Sequence, residues 1–170
     1  MKRGAGSRPV GPGKGVLGPK DLGAVVRLHG ELYKYEWRYD RRFEAYVAAG
    51  LERMARRYDA ARDRLWLVKR RGRIIGSVAI VHHSRTSAQL RWFLVAPAFR
   101  RKGLGKRLVR KALRFARGAG YRTVFLWTTS ELDAARRVYE RAGFRRTAHK
   151  THDAWGRRGI TEERYSLGLR

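Results

Sequence analysis

The chain has 170 residues, with 41 lysines and arginines against 14 aspartates and glutamates, giving a formal net charge of +27. This length suits one domain around a single core, and the 43% hydrophobic content favours a folded chain over a disordered one. No cysteine is present, which excludes disulfides, thiolate zinc sites and a cysteine nucleophile. With no apolar run of membrane length and no secretory pattern in Met1–Lys20, we expect a cytoplasmic protein that does not span a membrane.

The positive charge has two interpretations. A large basic excess is typical of proteins that bind polyanions such as nucleic acid or a ribosome. It is equally typical of a solvated surface rich in arginine. The charges are spread over the whole chain and no motif that reads DNA or RNA is present, so both interpretations stay open.

The amino-terminal residues differ in composition from the rest. Residues 1–15 are rich in glycine, proline and basic residues, which predicts a flexible arm followed by one domain over residues 16–170. Gly13–Gly18 matches the dinucleotide-binding string G-x-G-x-x-G, but it follows no strand and runs into Pro19, so we expect no dinucleotide site there. Val16-Leu17 is expected to begin a first strand.

Two amphipathic helices are predicted next, with Asp21 and Asp40 as their capping residues. The predicted buried faces consist of Leu22, Val25, His29, Leu32 and Tyr33 in the first helix, and of Phe43, Tyr46, Val47, Met54 and Tyr58 in the second. The aromatic stretch Tyr33–Tyr39 between them favours core packing, and an aromatic rim over an acceptor site is the alternative.

Alternating apolar residues then predict a mixed sheet. Leu65–Lys69 and Ile74–His83 are expected to form a hairpin, and Leu90–Val95 a third strand. An amphipathic helix over residues 104–117 and the strand Thr123–Thr128 complete a βαβ unit with a parallel strand pair.

The loop inside this unit, Pro97–Lys106, has the composition of a diphosphate cradle. Gly103 and Gly105 allow a tight turn in which successive backbone N–H groups point inward. The start of the following helix adds a positive dipole end, and Arg100, Arg101, Lys102 and Lys106 add full charges.

After this unit the sequence predicts a helix from Leu132 that stops at Gly143, then the strands Phe144–Lys150 and Thr161–Leu167 around a loop at Trp155. The histidines lack the spacing of metal ligands and no Walker loop is present, so we expect no metal site and no nucleotide hydrolysis.

These motifs resemble those of the GNAT superfamily of acyl-CoA-dependent N-acyltransferases. The resemblance is carried by Arg100-x-x-Gly103-x-Gly105, by Val95-x-Pro97 before it, and by the segment Tyr139–Phe144, which reads Y-E-R-A-G-F. It implies a mixed α/β (α+β) fold with a mostly antiparallel sheet of six to seven strands, a splayed parallel pair and about four helices. A narrower likeness, to the acetyltransferase half of bacterial MarR–GNAT fusion proteins, is visible in Leu90–Pro97, in Phe125–Phe144 and in Trp155–Tyr165.

The resemblance also implies a cosubstrate and site residues. Acetyl-CoA would pair its pantetheine amides with the backbone of Phe93, Leu94 and Val95, and Tyr139 would donate a proton to the thioester sulfur. A strand N–H near Leu94 or Val95 would stabilise the oxyanion. The diphosphate would be held by Arg100, Arg101, Lys102, Gly103, Leu104, Gly105 and Lys106.

Two positions depart from the pattern of many relatives. Leu132 stands where many relatives carry an asparagine, and Trp127 stands where those that acetylate protein N-termini carry an acid. The general base therefore stays open among Glu131, Glu36, His83 and water.

The expected function is acetyl-CoA-dependent N-acetylation of a primary amine of an unidentified acceptor, by direct attack in a ternary complex. The alternatives are a nucleic-acid- or ribosome-associated GNAT protein that acetylates aminoacyl-tRNA or ribosomal protein, and a non-catalytic CoA-binding module. Assembly as a homodimer stays open.

Overall fold

A computed structural model of the protein describes residues 8–10 and 19–169. The strands are β1 (Arg8–Val10), β2 (Arg64–Arg70), β3 (Arg73–His82), β4 (Ser87–Val95), β5 (Thr123–Thr129), β6 (Arg145–Ala154) and β7 (Arg157–Gly168). The helices are α1 (Pro19–Trp37), α2 (Arg41–Arg56), α3 (Leu104–Gly118) and α4 (Asp133–Arg141), with a short 3₁₀ turn at Pro97–Phe99.

The strands form one sheet in the order β1-β2-β3-β4-β5-β7-β6. Every neighbouring pair is antiparallel except β4 and β5, which are parallel and joined through α3. The predicted mixed fold, with its mostly antiparallel sheet, its parallel pair and four helices in the described residues, is confirmed.

Helices cover both faces of the sheet. Successive side chains of a strand point to opposite faces, so each strand contributes to the core on either side. In β2, Leu65 and Leu67 pack with α1 and α2, whereas Trp66 and Val68 pack with α3 and α4. The two resulting cores meet through the sheet, so the continuous hydrophobic run of this strand reflects burial on both sides.

The parallel pair separates after three residue pairs. Ser87–Gln89 pair with Thr123–Phe125, and β4 then continues to Val95 with no further pairing to β5. The separation coincides with a bulge: the register of β3 on β4 shifts, and Trp92 has a φ of 45°. The buried Ser77 hydroxyl donates to the Trp92 carbonyl oxygen over 2.6 Å and holds this bulge in place.

Most predicted element types hold, and two local predictions are wrong. Asp40 caps α2 by accepting from the Arg42 amide over 2.9 Å, as expected. Asp21 is not the cap of α1, because the helix already begins at Pro19, whose fixed φ and missing N–H suit a first helical position. Tyr46, predicted on the buried side of α2, is 47% exposed because it lies at the mouth of a cleft described below.

The amino-terminal predictions fall partly outside the described residues. Arg8–Val10, within the range predicted as an arm, forms β1 and pairs antiparallel with Leu65–Leu67 of β2. Val16-Leu17 and the other residues of 1–7 and 11–18 lie outside the description. None of the helices in the described ranges combines the length and hydropathy needed to cross a membrane.

The bulge leads to a stability prediction. Ser77→Ala is expected to lower the free energy of unfolding by about 1 to 3 kcal/mol, because the Trp92 carbonyl would stay buried after losing its donor. Urea unfolding measures the loss. Ser84→Ala is the matched control, since Ser84 is exposed and bonds only its neighbour Ser87, and equal losses in both variants would contradict the role given to Ser77.

Candidate functional site

The loop between β4 and α3 has the backbone conformation that suits anion binding. Arg101 has a φ of 60°, and Gly103, which caps α3, has a φ of 75° and contributes no side chain to the cap. The first amides of a helix have no intrahelical acceptor, so the start of α3 offers its N–H groups and positive dipole end to an anion.

Gly105 sets how closely α3 approaches the sheet. A Cβ atom at this position would lie 3.0 Å from Cζ of Phe93 and 3.6 Å from Cγ2 of Val95. The first turn of α3 therefore packs directly on the end of β4, and Leu104 beside it is buried in the core.

The cationic residues of the loop have different positions. The Arg100 guanidinium donates to both carboxylate oxygens of Glu36 over 2.9 and 2.7 Å, and its Nε donates to the Val95 carbonyl over 3.0 Å. Arg100 thus ties the loop to α1 and β4. Arg101, Lys102 and Lys106 are exposed, and the Lys102 ammonium donates to the Ala98 carbonyl over 3.0 Å.

A cleft opens where β4 and β5 separate. Its walls come from both helical layers and from the sheet. They consist of His29, Tyr33, Phe43, Tyr46, Val47, Gln89, Leu90, Arg91, Trp92, Phe93, Trp127, Thr128, Thr129, Leu132, Ala135, Tyr139, Trp155 and Glu162. The separated strands thus bring two residues predicted for the site, Phe93 and Tyr139, into one cleft, and Leu94 and Val95 continue β4 from there to the loop.

Tyr139 is 5% exposed, and its ring lies 5.4 Å from that of Phe93 and 6.0 Å from that of Phe144. Burial raises the pKa of the Tyr139 hydroxyl well above its ordinary value, and the nearby Tyr33 adds to this. Within the described residues no hydrogen-bond partner meets this hydroxyl. Tyr139 therefore stays protonated at neutral pH and has a proton to donate.

Buried polar atoms without partners are concentrated in the cleft. Six such side-chain atoms occur in the described residues, and four belong to the cleft walls. These four are Nε2 of His29, Nε1 of Trp92, Oγ1 of Thr128 and Oγ1 of Thr129. Because buried polar groups are normally satisfied, these atoms are available to a polar ligand or to water.

His29 is the cleft residue whose chemistry the sequence did not reveal. Its Nδ1 lies 2.9 Å from the Val25 carbonyl oxygen, which can only accept, so the proton sits on Nδ1 and Nε2 keeps a lone pair. Burial lowers the pKa of His29 to about 4. The sequence signal was a single histidine on an apolar helical face, which more often marks a core residue.

The three side chains considered as general bases all lie outside the cleft walls. Glu36 is bound by Arg100, and Glu131 accepts from Arg157 over 2.6 and 2.8 Å. His83 is exposed, with its ring 4.9 Å from that of Phe125.

In the described residues, the carboxylate that lines the cleft is Glu162, which the sequence analysis missed. It lies 3.0 Å from the Lys150 ammonium and 2.6 Å from Nε2 of His152. The sequence feature that could have revealed Glu162 is the pair Glu162-Glu163 within a strand. Consecutive residues of a strand point to opposite faces, so one of the two carboxylates had to face inward.

The burial of His29 predicts a pH dependence of stability. In the unfolded chain His29 binds a proton below its ordinary pKa of 6.5, whereas in the folded chain it stays neutral down to a pH of about 4. The free energy of unfolding therefore falls as the pH decreases from 6.5 to about 4. This contribution is about 3 kcal/mol. His29→Gln should remove it and flatten the profile of unfolding free energy between pH 6.5 and 4, as measured by urea unfolding.

The control for this experiment is His83→Gln, which changes an exposed histidine. Its profile should match that of the unmodified protein. A His29→Gln profile as steep as the unmodified one would show that the acid sensitivity has another origin.

Comparison with known proteins identifies relatives of part of the chain. N-acetyltransferase family 8 member 3 of Rattus norvegicus is 34% identical over 87 residues, which are 48% of this chain and 38% of that protein. The N-acetylaspartate synthetase of Homo sapiens is 36% identical over 88 residues, 51% of this chain and 29% of that protein. The chain thus spans less than half the length of these curated relatives.

Solved structures share the fold over nearly the whole chain. A GNAT-family protein from Desulfovibrio desulfuricans has a TM-score of 0.71 at 21% identity, over 97% of this chain and 99% of its own. YncA from Salmonella typhimurium, solved with its cofactor acetyl-CoA, has a TM-score of 0.69 at 18% identity, over 89% and 90%. The model of the Acetyltransferase (GNAT) family matches residues 31–144, a range that includes the loop before α3 and Tyr139. The chain therefore belongs to the GNAT acetyltransferase family.

Proposed function

We propose that the protein is an acetyl-CoA-dependent N-acetyltransferase that acetylates a primary amine by direct attack in a ternary complex. The observation that carries this proposal is the separation of β4 from β5. It opens a cleft that contains the buried, protonated Tyr139, and β4 continues from this cleft to the loop that suits an anion. Membership of the GNAT family supports it.

The residues present fit the cosubstrate. The edge of β4 that faces β5 has no strand partner beyond Gln89, so the backbone of Phe93, Leu94 and Val95 is suited to bind the pantetheine amides. The amides from Arg101 to Lys106, with the exposed charges of Arg101, Lys102 and Lys106, are suited to the diphosphate. In this proposal Arg100 acts by positioning the loop.

Acetyl-CoA supplies a thioester whose acetyl carbon accepts the amine and whose thiolate leaves. Tyr139 would donate its phenolic proton to the departing sulfur and regain one from solvent. The backbone N–H of Leu94 or Val95 would stabilise the negative charge that develops on the carbonyl oxygen. An ammonium group loses one proton before it attacks and a second one as the amide forms. Both would pass to solvent, since Glu162 is bound by Lys150 and His152.

A second candidate is an acetyltransferase associated with nucleic acid or a ribosome. It is favoured by a row of exposed basic residues along α3. The row consists of Lys106, Arg107, Arg110, Arg114 and Arg117. The cytoplasmic location, assembly as a homodimer and the narrower likeness to MarR–GNAT fusion proteins stay predictions of the sequence.

The first test of the proposal measures cofactor binding at the loop. Acetyl-CoA at about a hundred times its dissociation constant should add roughly 2.7 kcal/mol to the stability of the unmodified protein and raise its Tm. Gly105→Val should lose this shift, because a side chain there pushes Phe93 away from the end of β4. It should also lower the Tm itself, since this position is a packing contact.

Gly118→Val is the matched control, since a Cβ at Gly118 meets no atom within 4 Å and the residue ends the same helix. It should keep the Tm shift. A flat titration of the unmodified protein, or an undiminished shift in Gly105→Val, would contradict the proposed cradle.

The second test removes the Tyr139 hydroxyl. Tyr139→Phe keeps the ring and its packing, so acetyl-CoA affinity should persist while turnover falls about a hundredfold, as expected on loss of a general acid. Turnover is followed as free thiol at saturating acetyl-CoA, and binding by calorimetry.

Tyr165→Phe is the control, because Tyr165 is also buried in this core and its hydroxyl donates to Glu163 over 3.2 Å. A fall of less than about threefold in Tyr139→Phe would make Tyr139 a packing residue. Joint loss of binding and stability would assign its hydroxyl a structural role.

A further inference from the structure

Arg91 is a cation in the wall of the cleft. It lies in β4 directly before the bulge, is half-buried, and lines the cleft. Its guanidinium lies 4.6 Å from the ring centre of Trp92 and 5.8 Å from that of Tyr46, and it donates to the Tyr46 hydroxyl over 3.3 Å. Across the described ranges no carboxylate forms an ion pair with Arg91. Unpaired arginines are expected on the surface of so basic a chain, but this one lies in the cleft wall.

A glycine in α2 makes room for this guanidinium. Gly50 is buried in the interior of the helix, where glycine is less favourable than alanine. A Cβ atom at Gly50 would lie 3.0 Å from Nη2 of Arg91 and 3.1 Å from Cζ2 of Trp92. The absence of a side chain at this position therefore keeps the guanidinium and the indole edge side by side under α2.

The indole of Trp92, which the guanidinium contacts, also carries a donor. Nε1 of Trp92 is buried and has no partner within the described residues, and in an indole this nitrogen and Cζ2 are bonded to the same carbon. The guanidinium of Arg91 lies 4.6 Å from the centre of the same indole ring. The guanidinium of Arg91 carries five N–H donors, and the Tyr46 hydroxyl accepts from one of them, so the remaining donors need an acceptor from solvent or a ligand.

The electrostatic surroundings favour an anionic acceptor group. Arg53 and Arg57 are the charged side chains of the α2 region that act on Arg91, and both are cations. The carboxylate of the cleft, Glu162, is bound by Lys150 and His152 and so is largely neutralised. A planar guanidinium matches a carboxylate, which can accept from two donors at once.

We propose that the amine acetylated in this cleft belongs to a free amino acid, whose carboxylate is bound by the guanidinium of Arg91. This inference rests on the proposed function and names its substrate class. Arg91 is two residues from Phe93, a separation of about 7 Å along a strand, so one small molecule can reach both Arg91 and the cofactor edge of β4. The aromatic walls formed by Tyr33, Phe43 and Trp155 accept its apolar part.

A binding experiment tests the carboxylate site without requiring turnover. Calorimetry in the presence of saturating CoA compares N-acetylglycine, N-acetyl-L-leucine, N-acetyl-L-phenylalanine and N-acetyl-L-aspartate with their α-carboxamides. At least one acid should bind about tenfold or more tightly than its amide, because a charge-assisted hydrogen bond is lost in the amide. Arg91→Gln should abolish this preference for the acid. Arg91→Lys should retain part of it, because lysine keeps the positive charge but lacks the planar guanidinium.

Arg85→Gln is the control, since it removes one exposed positive charge at the turn between β3 and β4 and should leave the preference unchanged. The inference is overturned if no acid binds more tightly than its amide, or if the preference survives in Arg91→Gln. It is also overturned if Arg91→Gln weakens acetyl-CoA binding, which would assign the guanidinium to the cofactor.

Thiol release with free amino acids and their α-amides separates this inference from the proposed function. Acids should be acetylated faster than amides by the unmodified protein. Amides that turn over as fast as acids overturn the inference and leave the acetyltransferase proposal standing. Absence of thiol release with every amine, while acids still bind through Arg91, overturns the proposed function and supports the carboxylate site.

Discussion

The bulge at Trp92 is the constraint on which the architecture of the cleft depends. A positive φ is unfavourable for a tryptophan, and here it is maintained by the hydrogen bond from Ser77 and by burial of the indole under α2. The bulge also breaks the alternation of β4. Trp92 packs with α1 and α2, whereas Phe93 contacts Tyr139 on the opposite face. One local distortion therefore accompanies the separation from β5 and places side chains from both layers around the same opening.

The shortage of carboxylates shapes the electrostatics of the cleft. The acids near its rim are bound by cations: Glu36 by Arg100, Glu131 by Arg157, and Glu162 by Lys150 and His152. These pairs join separate segments of the fold. They also leave the interior with neutral polar atoms and the guanidinium of Arg91. The surface of the chain is already positive, and a cleft of this kind adds to the attraction for anions.

The sequence predicted local features well where one residue type has one strong preference. Asp40 caps α2 and Gly103 takes the left-handed conformation before α3, because few residues perform these roles. It predicted side-chain surroundings less well. In the stretch Tyr33–Tyr39, Tyr39 is core, Tyr33 lines the cleft and Tyr35 is 88% exposed. Core packing is therefore confirmed for Tyr39, and the aromatic rim over an acceptor site stays a prediction.

The sequence by itself determined the family, the order of the elements from α1 onward, and the positions of the loop at Gly103 and Gly105 and of the Y-E-R-A-G-F segment. Each of these is carried by residues close together in the chain. Only the tertiary structure decided which polar groups meet in the cleft: His29 from α1, Arg91 and Trp92 from β4, and Glu162 from β7. Hydrophobic periodicity reports which face of an element is buried, but it does not report which distant element covers that face. Whether a buried nitrogen finds a partner is fixed by register and packing, and so it could not be read from the sequence.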